Sequence, residues 1–190
     1  YAYSRSCSIR TAAGEPVLKI LALDTSTEYC SVALWHDGDV DTREARAGQS
    51  HSELLLGMVD ELLARHKIQV GKLDGIAFGQ GPGSFTGLRI ACGVTQGLAF
   101  AADIPVIGVG TLLAMAEASH AERVVCCLDA RMRAIYHAAY AKSGGEWEAV
   151  CEPGLWAPAA SPLLPAGTWF GCGNGFAASR DALLTRYEGG

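Results

Sequence analysis

Charge is scarce in this sequence. Asp, Glu, Lys and Arg make up 18% of its 190 residues, and the net charge is −5. A protein that grips RNA by itself needs Lys and Arg against phosphate, so any RNA-linked role leaves most of the grip to another subunit. No CxxC pair occurs. The seven cysteines, at 7, 30, 92, 126, 127, 151 and 172, are odd in number, which argues against a disulfide scaffold and for a reduced, cytoplasmic protein. A membrane span is also missing, because the most apolar stretch, 104–118, is short and holds Pro105 and Glu117. The opening residues lack the continuous apolar stretch of a signal peptide, and 1–17 is set aside as a polar extension. No two of the five histidines, at 36, 51, 66, 120 and 137, stand four residues apart, so no helix presents a paired-histidine metal site.

What is present is enough apolar material, 49% of the chain, for one domain or two small ones. Residues 17–23 form an apolar run that ends in Asp24 and reads as a buried strand. Asp24-Thr25-Ser26-Thr27 is a turn, Cys30 to Trp35 a second strand, and Asp37-Gly38 a hairpin signal. Ser50 to His66 has helical periodicity, with Ser50 or Ser52 as N-cap. Leu73 to Phe78 is a short strand, followed by a Gly-Pro loop over 79–83 and a helix capped by Ser84 and running to Ala102. Ile104 to Val109 is a strand and Leu112 to Ser119 a helix.

The opening pattern then returns. Arg123 to Leu128 is apolar and ends in Asp129, a polar turn follows, and Ala134 to Tyr140 leads to the Ser143-Gly144-Gly145 hairpin signal. Strand-Asp-turn-strand-hairpin thus occurs twice, and two related α/β halves are expected, 18–119 and 120–190. Glu152 to Gly167 reads as an irregular connection, Thr168 to Cys172 as a strand, and Phe176 to Tyr187 as one helix. An actin-like duplicated fold meets this description; an ordinary doubly wound sheet is the alternative.

Gly79-Gln80-Gly81-Pro82-Gly83-Ser84-Phe85-Thr86-Gly87 is the most distinctive segment. Ser84 opens a helix whose free N–H groups can bind an anion, or the loop is only a tightly packed strand-to-helix turn. It is not a P-loop, since no Lys follows its glycines. Asp24 can hydrate a metal or cap its own turn. Actin-like ATPases place a glycine two residues after this aspartate so that backbone can approach phosphate; here that position is Ser26. Asp24, Ser84 and Gly173 are therefore weak nucleotide-site candidates, and an ion pair with the neighbouring arginines is the default role of Asp129. Cys92 reads as a core residue, as do Cys126 and Cys127.

The segments Ile20 to Thr27, Ser31 to Leu34, Ser50 to Leu55, Gly81 to Ile90 and Ile104 to Val109 together resemble the TsaB (YeaZ) family, in order along 18–174. The resemblance implies an actin-like fold akin to that of TsaD. It also implies a non-catalytic subunit that binds and activates the TsaD-type ligase in transferring threonylcarbamoyl to adenosine 37 of tRNA. A TsaE-type ATPase is a second implied partner. The tRNA is contacted through the complex, and a homodimer forms when the ligase is absent. TsaD-like proteins carry two metal-binding histidines where this chain has Thr111 and Met115, so no metal is expected, nor any catalytic residue or tight cofactor. Family members run on past the point where this chain stops, and the second half is expected to be incomplete. The competing reading is a free-standing actin-like ATPase or phosphotransferase.

Between Ser52 and His66, apolar residues fill an arc of roughly 200°, wider than the ~100° stripe one core requires. The next helix carries Gly87, Gly93 and Gly97 at a cost of up to about 1 kcal/mol each relative to Ala. The resemblance assigns both helices to the partner bundle, with Leu54, Leu55, Met58, Val59, Leu62, Leu88, Ala91 and Thr95 as the partner-binding positions.

Overall fold

The computed structural model describes residues 18–48 and 50–187; the N-terminal extension and the first residue of the expected opening strand lie outside them. The chain divides into two compact units. One runs to Gln80 and resumes over Ser84–Val109; the other takes Gly81–Gly83 and the described residues from Gly110 on.

The first unit holds β1 (Ile20–Asp24), β2 (Tyr29–His36), β3 (Asp39–Arg46), α1 (His51–His66), β4 (Gly75–Gly81), α2 (Phe85–Ala102) and β5 (Val106–Gly110). Its sheet has the order β3-β2-β1-β4-β5. β1 is antiparallel to β2, with Leu21 opposite Leu34 and Leu23 opposite Val32, and parallel to β4. These leucines and valine repeat every second residue, so all reach the same buried face. α1 and α2 close that core with Leu55, Val59, Leu62, Leu63 and Ala99. Asp37 and Gly38 both have positive φ, at 55° and 83°, as the two-residue Asp-Gly hairpin demands. β3 is the polar edge strand, where Arg43 pairs with Asp41 and with Glu61 of α1. β5 starts at Val106 rather than Ile104. Pro105 has no N–H to give a ladder, though its carbonyl accepts from Ile76 N–H at 3.0 Å.

The second unit holds α3 (Thr111–Ala118), β6 (Arg123–Arg131), β7 (Ala134–Ser143), β8 (Glu146–Trp156), β9 (Phe170–Cys172), α4 (Gly175–Ala178) and α5 (Arg180–Tyr187). Its sheet order is β8-β7-β6-β9. β6 is antiparallel to β7 and parallel to β9, as β1 is to β2 and β4. The two sheets repeat one topology, and the fold is the α/β actin-like class. Helix α3 packs on β6 and β7, with Leu112 and Ala116 buried against Val124, Cys126 and Ala138.

Two expectations need correction. Glu152 to Trp156 is not irregular: β8 continues through it, with Tyr136 opposite Leu155 and Ile135 opposite Trp156. β8 is an edge strand, which tolerates Pro153, and the ladder absorbs the break as a register shift around Ala139. The C-terminal helix is two helices, split at Ser179, whose φ and ψ are −135° and 37°.

Candidate functional site

The segments that sequence reading singled out in the first half converge on one turn, Asp24 to Thr27. Asp24 Oδ1 accepts from the Ser26 N–H at 2.9 Å and from Ser26 Oγ at 2.7 Å, so the aspartate caps its own turn. Its other oxygen lies against Gly79, where a Cβ would overlap it. Thr25 Oγ1 donates to the Gly87 carbonyl at 2.7 Å in a fully buried bond. A Cβ on Gly87 would strike the Thr25 carbonyl oxygen. The Ser84 N–H donates to the Ser26 carbonyl at 2.7 Å, and Ser84 Oγ caps α2 by accepting from Gly87 N–H at 3.3 Å. Buried His51, the first residue of α1, holds the Thr27 carbonyl at 3.0 Å through Nε2.

Three segments thus clasp the turn, and each glycine they use admits a close approach that any side chain would block. The candidates Asp24 and Ser84 are brought together, but by bonds within the chain rather than towards an open anion site. Thr25, His51, Gly79 and Gly87 complete the clasp and were not among the candidate site residues. The glycine spacing pointed at a tight approach without naming what approached.

In the second unit, Gly173 has φ +103°, and a Cβ there would overlap the Cys127 carbonyl oxygen. It presses the turn onto β6. Next to it, Asn174 Oδ1 accepts from the Asp129 N–H at 2.9 Å. Asp129 pairs with Arg131, by a carboxylate-to-backbone bond of 2.9 Å and an ion pair of 3.5 Å, the local role expected of it. Thr111 is buried with no hydrogen-bond partner for Oγ1, and the Met115 methyl abuts the position a Gly173 Cβ would take. Among the described residues, no three His, Cys, Asp or Glu side chains converge on a metal position. None of the helices among them is long and apolar enough to cross a membrane.

The helix faces divide differently from the partner-binding set. Leu55, Val59 and Leu62 are 0–1% exposed, as are Ala91 and Thr95. These five turn into their own core, because α1 and α2 each lay one stripe on the sheet, and they are withdrawn as partner contacts. Leu54, Met58 and Leu88 are half-buried and remain available. The fully presented apolar residues were not in that set: Leu56 at 48%, Phe85 at 68% and Phe100 at 93%. On α2 the buried stripe is Gly87, Ala91, Thr95 and Ala99. At 100° per residue Arg89, Gly93, Gly97 and Phe100 lie on the opposite side, with Phe85 at its edge. Arg89 stacks on Phe85 at 3.8 Å. Cβ atoms on Gly57, Gly93 and Gly97 would each meet nothing within 4 Å. Cys92, expected in the core, is only half-buried.

Fold and site define an actin-like protein whose first turn is closed by its own loop and whose second helix leaves its outer side exposed. The family model for TsaD, tRNA N6-adenosine threonylcarbamoyltransferase, matches residues 45–166. The tRNA threonylcarbamoyladenosine biosynthesis protein TsaB of Escherichia coli is 40% identical over 174 residues, 86% of this chain and 74% of that protein. The Haemophilus influenzae protein of the same name is 49% identical over 123 residues, 63% of this chain and 52% of that one. The structure of YeaZ from Pseudomonas aeruginosa superposes with a TM-score of 0.82 at 39% identity, covering 90% of this chain and 80% of its own. The chain belongs to the TsaB (YeaZ) family.

Proposed function

We propose that this chain serves the synthesis of threonylcarbamoyladenosine on tRNA as a non-catalytic subunit that binds and activates a TsaD-type ligase. The synthesis itself follows from the family and the names its relatives carry. The subunit role rests on the outer face of α2, where two exposed aromatic rings flank glycines that the chain's own packing does not require. Gly93 and Gly97 leave flat ground on which a partner helix can approach closely, and Phe85 and Phe100 supply the area to be buried. Leu54, Met58 and Leu88, half-buried, stand nearer the core and add only their remaining exposed area. In the partner's absence, a second copy covers it. A TsaE-type ATPase joins the assembly, and tRNA is reached through the complex.

The clasped turn supports the absence of a tight nucleotide, because the Ser26 N–H and the Thr25 hydroxyl, donors that a phosphate oxygen would take, are already engaged within the chain. Co-purification with the cell's own TsaD-type protein tests the reading. Phe100→Glu and Phe85→Glu change exposed positions and should fold. Each should weaken association at least tenfold, which takes about 1.4 kcal/mol. Two folded variants that bind the ligase as the parent does would move the interface elsewhere.

A further inference from the structure

Cys126 on β6 and Cys172 on β9 stand directly opposite each other in a parallel pair, their sulfurs 3.4 Å apart. Neighbouring strands lie about 4.8 Å apart, within the separation of roughly 4.4–6.8 Å that a disulfide bridges. Side chains alternate along a strand, so Cys126 joins the face packed by α3 while Cys127 joins the opposite one. Cys126 has no exposed surface, and its sulfur also lies 3.1 Å from the Leu112 carbonyl. Cys172 is half-buried and so reachable from outside. The hydrogen bond between them, and then burial, push the Cys126 thiol up; the same hydrogen bond draws the Cys172 thiol down against the opposing effect of its burial. Burial moves Cys30 and Cys151 the other way and takes Cys127 up to about 12. Cys172 therefore combines access with a second sulfur 3.4 Å away, the geometry of an oxidisable pair.

We propose that Cys126 and Cys172 form a redox-active thiol pair that a peroxide converts into a disulfide, tying the end of β9 to β6. The Cys172 thiolate attacks one peroxide oxygen, the O–O bond breaks, and the departing hydroxide takes a proton and leaves as water. Cys172 is then a sulfenic acid. The Cys126 sulfur attacks the Cys172 sulfur, the S–O bond breaks, and hydroxide leaves with the Cys126 proton as a second water. Two thiols lose two electrons, and one hydrogen peroxide is reduced to two waters. The sulfurs close from 3.4 Å to about 2.05 Å. Cys172 adjoins the Gly173-Asn174 turn that holds the Asp129 backbone, so the bond anchors that turn as well.

The purified chain is treated with stoichiometric hydrogen peroxide, its remaining thiols are alkylated, and the digest is read by mass spectrometry with and without dithiothreitol. The expected product is a peptide pair joined through Cys126 and Cys172, lighter by two hydrogens and released by the reductant. Cys172→Ser should abolish it, and Cys127→Ala should keep it. Recovery of Cys172 as a free thiol or as sulfinic acid with Cys126 unlinked overturns the proposal. So does a bridge from Cys172 to Cys127 in its place.

Discussion

His137 has no exposed surface, and its Nε2 meets the Tyr187 hydroxyl at 2.9 Å while Nδ1 has no partner. Burial drives its pKa down from 6.5 to about 4. The unfolded chain binds the proton more readily than the folded one between these values. Stability is therefore full above pH 6.5, falls as the pH drops towards 4, and levels off below. The loss across that window is about 3 kcal/mol. Chemical denaturation between pH 4 and 7 should display this slope, and His137→Gln should flatten it even while lowering stability at neutral pH. A second residue-scale expectation concerns the clasp. Gly87→Ala drives a methyl into the Thr25 carbonyl, and Thr25→Val leaves the buried Gly87 carbonyl without its hydroxyl partner. The valine variant should lose about 1–3 kcal/mol in urea unfolding, and the alanine variant at least as much. Asp24 was legible as a turn cap from the Asp-Thr-Ser-Thr string alone. His51 was not, since nothing in its local sequence says that its ring reaches a carbonyl 24 residues away.

Helix α2 serves two masters with two sides. Gly87 is held by the Thr25 backbone, whereas Gly93 and Gly97 meet nothing within the chain. Gly93→Ala and Gly97→Ala should each stabilise the isolated protein by about 0.5–1 kcal/mol in thermal or urea melts, by the ordinary helix propensity difference. Both should weaken association with the ligase, so stability and binding move in opposite directions. Leu55→Glu, by contrast, should unfold the protein, because its side chain has no exposed surface. The apolar arc of α1 was plain in the sequence, yet periodicity fixes only the width of such a face. Which part of it meets the sheet depends on how the helix is rolled, and that is set by β2, β3 and α2. Hence Leu54 and Met58 stayed available while Leu55, Val59 and Leu62 went inside.

At the scale of the whole molecule, the duplication was readable because each half opens with an apolar strand ending in aspartate, followed by a turn and a hairpin signal. The length of β8 was not, because Pro153 and Gly154 read as breakers when nothing says the strand lies at an edge. The purified chain should bind ATP only weakly by calorimetry and hold no stoichiometric zinc or iron by elemental analysis. Saturable submicromolar ATP binding or one metal per chain would contradict the reading. The clasp around Asp24 to Thr27 also couples distant parts of the chain. Its bonds come from His51 and from Ser84 and Gly87, so a glycine at position 26 would remove one side chain and leave the Thr25–Gly87 and Ser84–Ser26 bonds in place. Opening the turn therefore takes several substitutions together, and their effects on stability should depart from additivity because they share one hydrogen-bond network.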